Sequence, residues 1–234
     1  MTQLSIVIPC YNEIESLPQL LKNLEKLDRN INFLIVENGS IDESKIYLEK
    51  VEKYLKKNIK IYYKKENNGY GEGVLEGLNN CDKSDYIGWI HGDLQFEYQK
   101  LDKLFKKLNA FENKEKIFYK GVRKERSLIE KIISWNMGVI ASIILKTKLF
   151  EINAQPTIFS YNLLEKLNQA PKDFSFDTYV YFQAKLENYK IIRENYNFPP
   201  RSYGNSKWNF GIKSRLKFSI DLIKYFFKLK NSNL

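Results

Sequence analysis

An apolar segment that ends in an acidic element, residues 88–95, contains the side chains of this chain best suited to chemistry. The run Gly-Trp-Ile predicts the end of a buried strand, and Asp93 follows shortly after it. A carboxylate at that position can hold a divalent cation at the carboxyl edge of a sheet, where open α/β folds bind their ligands. The segment therefore predicts a metal-assisted site around Asp93.

Three further segments place polar or glycine residues at predicted strand exits. They are residues 4–13, 33–40 and 67–71, and each joins an apolar or turn-forming run to polar residues. Together with residues 88–95 they predict a nucleotide-binding site.

A basic loop is predicted near the carboxyl end of the chain, over residues 201–208. It places Gly204 among hydroxyl side chains and the cations Arg201 and Lys207. This composition is typical of a loop that closes over phosphate, although an ordinary surface loop has the same ingredients.

Length and composition favour a single α/β domain. The chain has 234 residues, of which 43% are hydrophobic and 15% aromatic, enough to bury a sizeable core.

Cys10 and Cys81 lack any metal-ligand or redox spacing, which indicates a reducing compartment. No secretory signal pattern is present, and the apolar stretch 135–145 is shorter than the ~20 residues of a membrane span. These features predict a soluble cytoplasmic protein.

Positive charge is concentrated at the carboxyl end. Residues 201–234 contain eight Lys and Arg against one Asp, so they carry +7 of the total net charge of +10. A predicted helix starting near Asn209 has one basic face: Lys213, Lys217, Lys224 and Lys228. Its predicted apolar face is Ile212, Leu216, Ile220, Ile223 and Phe227. Such a helix suits an anionic membrane surface, and equally a helix packed on the core. Nucleic-acid binding is not predicted, because no recognisable binding module is present.

The hydrophobic pattern predicts alternating strands and helices over the first half of the chain. Strands are expected near 4–9, 32–37, 59–64, 85–91 and 116–120, with helices near 14–28, 42–56, 70–80 and 97–109. This alternation is typical of a largely parallel, doubly wound sheet. Further along, we expect helices over 126–148, 160–169 and 175–188, and a strand over 190–198.

Five motifs, in chain order, resemble family 2 glycosyltransferases of the GT-A fold. They are Ile-Pro-x-Tyr-Asn-Glu (8–13), Val-Glu-Asn-Gly-Ser (36–40), Asp-Leu-Gln (93–95), Asn-Ala-Gln-Pro (153–156) and Arg-x-x-Gly-x-Ser-Lys-Trp (201–208). The chain is most similar to the branch of dolichyl-phosphate mannose synthase and other polyprenyl-phosphate sugar synthases. The resemblance implies an α/β, Rossmann-like GT-A domain over residues 1–208, with a mostly parallel central sheet flanked by helices. The basic amphipathic helix would follow over 209–234.

The resemblance also implies a set of donor-binding residues. They are Pro9, Tyr11, Glu13, Glu37, Asn38, Gly69, Gly71, Gln95 and Lys207. Among them, the Glu37 carboxylate can accept hydrogen bonds from the ring N–H groups of uracil or guanine.

The implied metal site consists of His91, Asp93 and Gln95, with Mn²⁺ or Mg²⁺ as the ion. The family usually has an aspartate where this chain has His91. Since imidazole suits manganese better than magnesium, His91 could ligate the metal, bond a donor phosphate, or merely end the strand.

The implied reaction is a single in-line displacement that inverts the anomeric carbon, with Asp93, Arg201 and Asp177 as catalytic residues. A cation and the basic loop would neutralise the departing nucleoside diphosphate. Asp177 would act as general base only if the acceptor is a hydroxyl, because a lipid phosphate is already anionic. It could equally orient the basic loop. The implied acceptor contacts are Arg123, Lys131 and Gln155.

The leading hypothesis is thus a metal-assisted, inverting glycosyltransferase that moves a sugar from a nucleoside-diphosphate sugar to a polyprenyl phosphate or membrane-linked glycan. One alternative is transfer to a saccharide hydroxyl in surface polysaccharide synthesis. Another is a noncatalytic sugar-nucleotide-binding scaffold at the membrane. The expected location is cytoplasmic, with peripheral attachment at the inner face of the cell membrane as a further option. The sequence does not identify the sugar or the nucleoside.

Overall fold

A seven-stranded mixed sheet forms the centre of the molecule. The computed structural model describes residues 3–199, 201, 203 and 211–232, and for residues 211–216 the backbone only. The strands are β1 (Leu4–Cys10), β2 (Ile31–Glu37), β3 (Ile59–Tyr63), β4 (Tyr86–Trp89), β5 (Ile117–Lys124), β6 (Thr157–Ser160) and β7 (Lys190–Asn197). Their order across the sheet is β3-β2-β1-β4-β6-β5-β7.

Helices flank the sheet. They are α1 (Leu17–Leu24), α2 (Ser44–Val51), α3 (Tyr70–Asn80), α4 (Lys100–Asn109), α5 (Leu128–Ile144), α6 (Phe176–Leu186) and α7 (Gly211–Ser232). The predicted alternation of strands and helices over the first half of the chain is confirmed, and β1, β2, β3 and β4 pair in parallel.

The central strands are apolar on both faces because each face is covered. Along β1, Ile6 and Ile8 pack into a cluster with α1 and α4, whereas Val7 between them packs with α3 on the opposite side. Side chains of a strand alternate between faces, so a strand covered twice is apolar at nearly every position. This burial fixes the strand exits from which the candidate site is built.

The helix predicted over 160–169 is present as a shorter 3₁₀ helix over Tyr161–Lys166. The four-residue strand β6 that precedes it was not predicted. Strand β6 is antiparallel to both β4 and β5, which it joins within the sheet. Leu163 and Leu164 in the 3₁₀ helix, and Leu167 just after it, are buried.

Helix α7 is present, beginning two residues after the predicted start, and among its described side chains Leu222, Phe226 and Leu229 are buried. Of the predicted apolar face, Ile223 is partly buried, Ile220 and Phe227 are 50% and 51% exposed, and Ile212 and Leu216 lie outside the described side chains. Helix α7 packs against α5, and this contact selects the buried face. The exposed face contains Lys217, Lys224 and Lys228. Among the described residues, no helix has the length and apolar composition to cross a bilayer.

Candidate functional site

The predicted site residues converge where parallel strands end at one edge of the sheet. Cys10 at the end of β1 lies beside Glu37 at the end of β2. Strand β4 pairs with the other side of β1 and ends at Trp89, so His91 and Asp93 follow at the same edge. Ligands of open α/β sheets bind at this edge.

Two buried acceptor atoms lie at the exit of β2. Glu37 is fully buried, and its Oε1 accepts a hydrogen bond from the Ser40 backbone N–H at 2.6 Å. Asn38 donates from Nδ2 to the Gly69 carbonyl at 3.2 Å. Within the described residues, Glu37 Oε2 and Asn38 Oδ1 have no hydrogen-bond partner. Donor binding by Glu37 and Asn38 stays a prediction.

The loop after β1 is fastened to the loop after β2. Asn12 adopts a positive φ of 55°, and its Oδ1 accepts from the Ile41 backbone N–H at 2.9 Å. The backbone N–H groups of Asn12 and Glu13 donate to the hydroxyls of Ser40 and Ser44, each at 3.0 Å. These bonds hold the segment 9–13 beside Glu37.

Two other predicted donor contacts from this segment, Pro9 and Tyr11, lie along that edge. Pro9 is the penultimate residue of β1 and pairs with Val36, and Tyr11 is half-buried. Their contact with a donor stays a prediction.

Gly69 and Gly71 have a structural explanation of their own. Gly69 has a φ of +123°, and a Cβ there would overlap the Lys172 carbonyl. A Cβ on Gly71 would overlap the carbonyls of Pro171 and Asp173. These glycines let α3 approach the loop before α6, and their role in donor binding stays a prediction.

Asp93 forms an ion pair with Arg201. The Asp93 carboxylate is buried, and its Oδ2 lies 2.9 Å from Arg201 Nη2 and 3.7 Å from His91 Nδ1. Burial acts to raise the pKa of Asp93, but His91 and Arg201 together outweigh it, so the pKa lies below its usual value. Asp93 is therefore ionised at neutral pH.

Arg201 also lies 3.9 Å from Glu13 Oε1. Burial raises the pKa of Glu13, while a hydrogen bond from the Ser16 hydroxyl acts in the opposite direction. The structure thus brings the predicted residues Glu13, Asp93 and Arg201 together.

Gln95, predicted to face the metal, donates from Nε2 to the Pro199 carbonyl at 2.8 Å. No group of three or more His, Cys, Asp and Glu side chains is arranged to hold a metal within the described part of the chain. Metal binding by Gln95, with Asp93 and His91, stays a prediction.

A polar network links His91 to the segment before β6. The Tyr70 hydroxyl lies 3.3 Å from His91 Nε2 and accepts from Gln155 Nε2 at 3.2 Å. Gln155 Oε1 and Asp177 Oδ1 are buried and lack partners among the described residues. Burial raises the pKa of Asp177, which Lys120 partly counteracts.

Lys120 was not predicted from the sequence, although it supports this network. It is fully buried in β5, and its Nζ donates to the Ala154 carbonyl and the Thr157 hydroxyl, both at 2.9 Å. These partners flank Gln155, which precedes a cis peptide bond to Pro156. Burial lowers the pKa of Lys120 from 10.5 to about 7.

A cluster of two arginines lies at the exit of β5. Arg123 Nε and Arg126 Nη2 donate to the two oxygens of the buried Glu151 carboxylate, at 2.9 and 2.6 Å. Arg126 was missed from the sequence, although its spacing from Arg123 at a strand exit was visible. Lys131 lies further along, exposed on α5. Lys207, with Gly204, Ser206 and Trp208 of the predicted basic loop, lies outside the described residues.

Comparisons with known proteins agree with this geometry. The family described as "Glycosyl transferase family 2" matches residues 5–147. An undecaprenyl-phosphate 4-deoxy-4-formamido-L-arabinose transferase of Proteus mirabilis is 22% identical over 214 residues, covering 90% of this chain and 64% of that protein. An uncharacterised Methanocaldococcus jannaschii protein, MJ0544, is 30% identical over 125 residues, 52% of each chain. This chain therefore spans less than two thirds of these curated relatives.

Two solved structures share the fold. The mannosyltransferase PcManGT from Pyrobaculum calidifontis, in complex with GDP-Man and Mn²⁺, aligns with a TM-score of 0.64 and 16% identity, covering 86% of this chain and 59% of that one. Glucosyl-3-phosphoglycerate synthase from Mycobacterium tuberculosis, with Mn²⁺, UDP and glucosyl-3-phosphoglycerate, aligns with a TM-score of 0.66 and 16% identity, covering 96% and 80%.

Proposed function

Because this chain belongs to glycosyl transferase family 2, we propose that it moves a sugar from a nucleoside-diphosphate sugar to a polyprenyl phosphate or membrane-linked glycan. One observation carries the proposal. An ionised, buried Asp93 lies at the same sheet edge as the unpaired acceptors of Glu37 and Asn38. Glu37 and Asn38 would then contact the base of a nucleotide sugar, and the charged groups around Asp93 would contact its diphosphate.

The nucleoside half would lie against the exit of β2. Glu37 Oε2 has no partner among the described residues and could accept from a ring N–H group of the base. The Asn38 amide lies against Gly73 of α3, and its contact with the donor is proposed from the family resemblance. Tyr11 would complete this side as a half-buried neighbour in the loop after β1.

The residues on the phosphate side fit a divalent cation. Asp93 and His91 would hold it, and donor phosphates and water would supply the remaining ligands, as is usual at nucleotide sites. A carboxylate with one imidazole favours Mn²⁺ over Mg²⁺. When bound, the ion would neutralise charge on the departing diphosphate.

Arg201 would share this task, since its guanidinium already lies 2.9 Å from Asp93. A planar guanidinium can bond two phosphate oxygens at once, so Arg201 would bind the diphosphate as its charge grows. Lys207 is proposed to act beside it. The displacement is proposed to be in line, with inversion at the anomeric carbon.

The acceptor phosphate would bind at the exit of β5. Arg123 and Arg126 share the single carboxylate of Glu151, so this cluster retains one net positive charge. Arginine pairs suit phosphate, because each fork donates two parallel hydrogen bonds. The Proteus mirabilis relative, whose name specifies undecaprenyl phosphate, supports an acceptor of this class.

Transfer to a saccharide hydroxyl is the second candidate, and Asp177 favours it. The carboxylate is buried, has an unpaired Oδ1, and has a raised pKa, which are properties of a general base. Transfer to a lipid phosphate that survives Asp177→Asn would support the first function. Loss of transfer to a sugar hydroxyl in the same variant, with donor affinity retained, would support the second.

The test of the shared chemistry is Asp93→Asn, measured as sugar transfer from labelled UDP- and GDP-sugars to a membrane lipid extract with Mn²⁺. Transfer should fall at least about a hundredfold, since one preorganised charge at a departing group contributes that much. Asp82→Asn is the matched control, because Asp82 precedes β4 at the opposite edge and pairs with Lys60. Full transfer by Asp93→Asn would refute the assignment.

A further inference from the structure

Helix α5 exposes apolar side chains along most of one face. Five of them are more than half exposed: Leu128, Ile129, Ile132, Trp135 and Ile143. On a helical wheel they occupy an arc of about 120°, with Asn136 and Val139 in the same arc. A helix packed on a domain normally turns such an arc towards the core.

The opposite face of α5 supplies the contact with the core. Gly138, Ala141 and Ile144 are buried there, against α7 and the segment after α5. The amino end is fixed by a capping box, in which Ser127 and Glu130 bond each other's backbone N–H groups. The exposed face is therefore a property of a well-formed helix, held with its apolar side outwards.

Basic residues flank the exposed apolar face of α5. Lys124 and Lys131 are exposed near its amino end, and Lys146 and Lys148 are exposed just past its carboxyl end. Two exposed acids also lie near the amino end, Glu125 and Glu130, and Glu130 is engaged in the capping box. An apolar face with lysines at both ends and a tryptophan within it matches the interface of an anionic lipid layer.

A shallow groove of about 250 Å³ runs beside the exposed face. Trp135, Val139 and Ile143 line it from α5, and Phe150 from the following segment. Its lining is mainly apolar, so one segment of a lipid chain would fit along it better than a polar ligand.

We propose that the exposed face of α5 docks into the surface of an anionic lipid bilayer. The inference deepens the proposed function, because α5 follows β5 directly and therefore places Arg123 and Arg126 next to the lipid surface. A lipid-linked phosphate would reach these arginines from the bilayer. The docking element is thus α5, whereas the sequence had pointed to α7, in which the large apolar side chains exposed over residues 217–232 are Ile220 and Phe227.

The first test is flotation of the full chain with vesicles, without donor or acceptor, so that docking is measured apart from transfer. The chain should bind vesicles of phosphatidylcholine with phosphatidylglycerol, bind pure phosphatidylcholine several-fold less, and release with salt. The Ile129→Ser/Ile132→Ser variant should bind at least about tenfold less, because several buried CH₂ groups are lost.

Ile46→Ser is the matched control, since Ile46 on α2 is 52% exposed and Ile132 is 57% exposed. This control should bind as the unaltered chain does. Equal binding by the Ile129→Ser/Ile132→Ser variant, or a loss only in Ile220→Ser/Phe227→Ser, would overturn the assignment to α5. If the unaltered chain transfers sugar to a short-chain acceptor in detergent but binds no vesicles, the docking is refuted and the proposed function stands.

The second test uses Trp135 as a reporter. Its fluorescence should shift to shorter wavelength when vesicles are added, because 58% of the side chain is now exposed to water. Trp135→Phe should bind vesicles but lose the shift. A shift that survives in Trp135→Phe would place another tryptophan in the lipid and overturn the proposal. The proposal would also be overturned if light scattering showed that the unaltered chain is a dimer and that Ile129→Ser/Ile132→Ser is a monomer. A second copy of the chain would then cover this face.

Discussion

Replacing Lys120 by methionine should change how stability depends on pH. Lys120 is fully buried, and burial lowers its pKa from 10.5 to about 7. In the folded chain this amine is therefore half protonated near pH 7 and neutral near pH 9, whereas the unfolded chain keeps the proton throughout. Stability rises with pH wherever the unfolded state binds more protons, so Lys120 makes the chain more stable at the higher pH.

The size of this effect follows from the two pKa values. Between about pH 7 and about pH 9, the differential protonation of one lysine amounts to about 2 kcal/mol in the free energy of unfolding. Methionine removes this rise. It also removes the hydrogen bonds to Ala154 and Thr157, which lowers stability by about 1 kcal/mol each at any pH.

The assay is urea unfolding of the unaltered chain and of Lys120→Met at about pH 7, 8 and 9. From about pH 7 to about pH 9, the free energy of unfolding of the unaltered chain should rise by about 2 kcal/mol relative to that of Lys120→Met. Lys50→Met, an exposed substitution on α2, should leave the pH dependence unchanged. Repeating the pair in an Asp177→Asn background removes the nearby carboxylate as a second titrating group. Parallel pH profiles for the unaltered chain and Lys120→Met would refute a buried amine that titrates near neutrality.

Three further changes should separate the roles of other residues. Gly71→Ala would overlap backbone oxygens of the loop before α6 and should cost about 1–3 kcal/mol of stability by thermal unfolding; an unchanged melting temperature would contradict this. Glu151→Gln should cost about 2–4 kcal/mol in urea because two arginines lose a buried carboxylate, whereas Glu49→Gln, in an exposed pair, should cost almost nothing. Arg201→Ala should tighten Mn²⁺ binding several-fold by calorimetry, since the guanidinium competes for the carboxylate of Asp93; unchanged affinity would argue against a metal at that carboxylate.

The parallel half of the fold could be predicted because its signals are local. Strands such as β1 and β2 are continuous apolar runs, and polar or glycine residues end each of them. The second half could not be predicted as well. Strand β6 has only four residues, and its antiparallel place between β4 and β5 depends on contacts distant in sequence.

The buried face of α7 could not be predicted for the same kind of reason. Its sequence offers apolar residues all around the helix, including Ile220 and Phe227 on one side and Phe226 on another. Which of them is buried depends on where α5 lies, and nothing in the periodicity of α7 specifies that. The apolar residues of α5 have the spacing of a core-facing stripe, yet Leu128, Ile132 and Trp135 are exposed.

Motifs located the ends of the candidate site but not the residues that connect them. Asp93 and Glu37 stand at strand exits, where polar residues interrupt apolar runs. Lys120 and Arg126 occupy positions where the sequence gives no such interruption or only an ordinary cation, and Tyr70 lies within the predicted segment 67–71 without being singled out. Their importance comes from burial, which turns a common lysine into one with a pKa of about 7.

The distribution of charge around the site suggests why Lys120 is buried rather than exposed. Asp177 is buried with an unpaired oxygen, and a full positive charge beside it would hold its pKa low. An amine that is only half protonated near pH 7 supports the backbone around Gln155 with two hydrogen bonds, yet it supplies only part of that charge. Asp177 can therefore keep a raised pKa, which would suit the proposed general base, while Arg123 and Arg126 provide positive charge further out. In a pH–rate profile, Lys120→Met should raise the pKa of the step that depends on Asp177. That result would show that the charge of Lys120 lowers the pKa of Asp177.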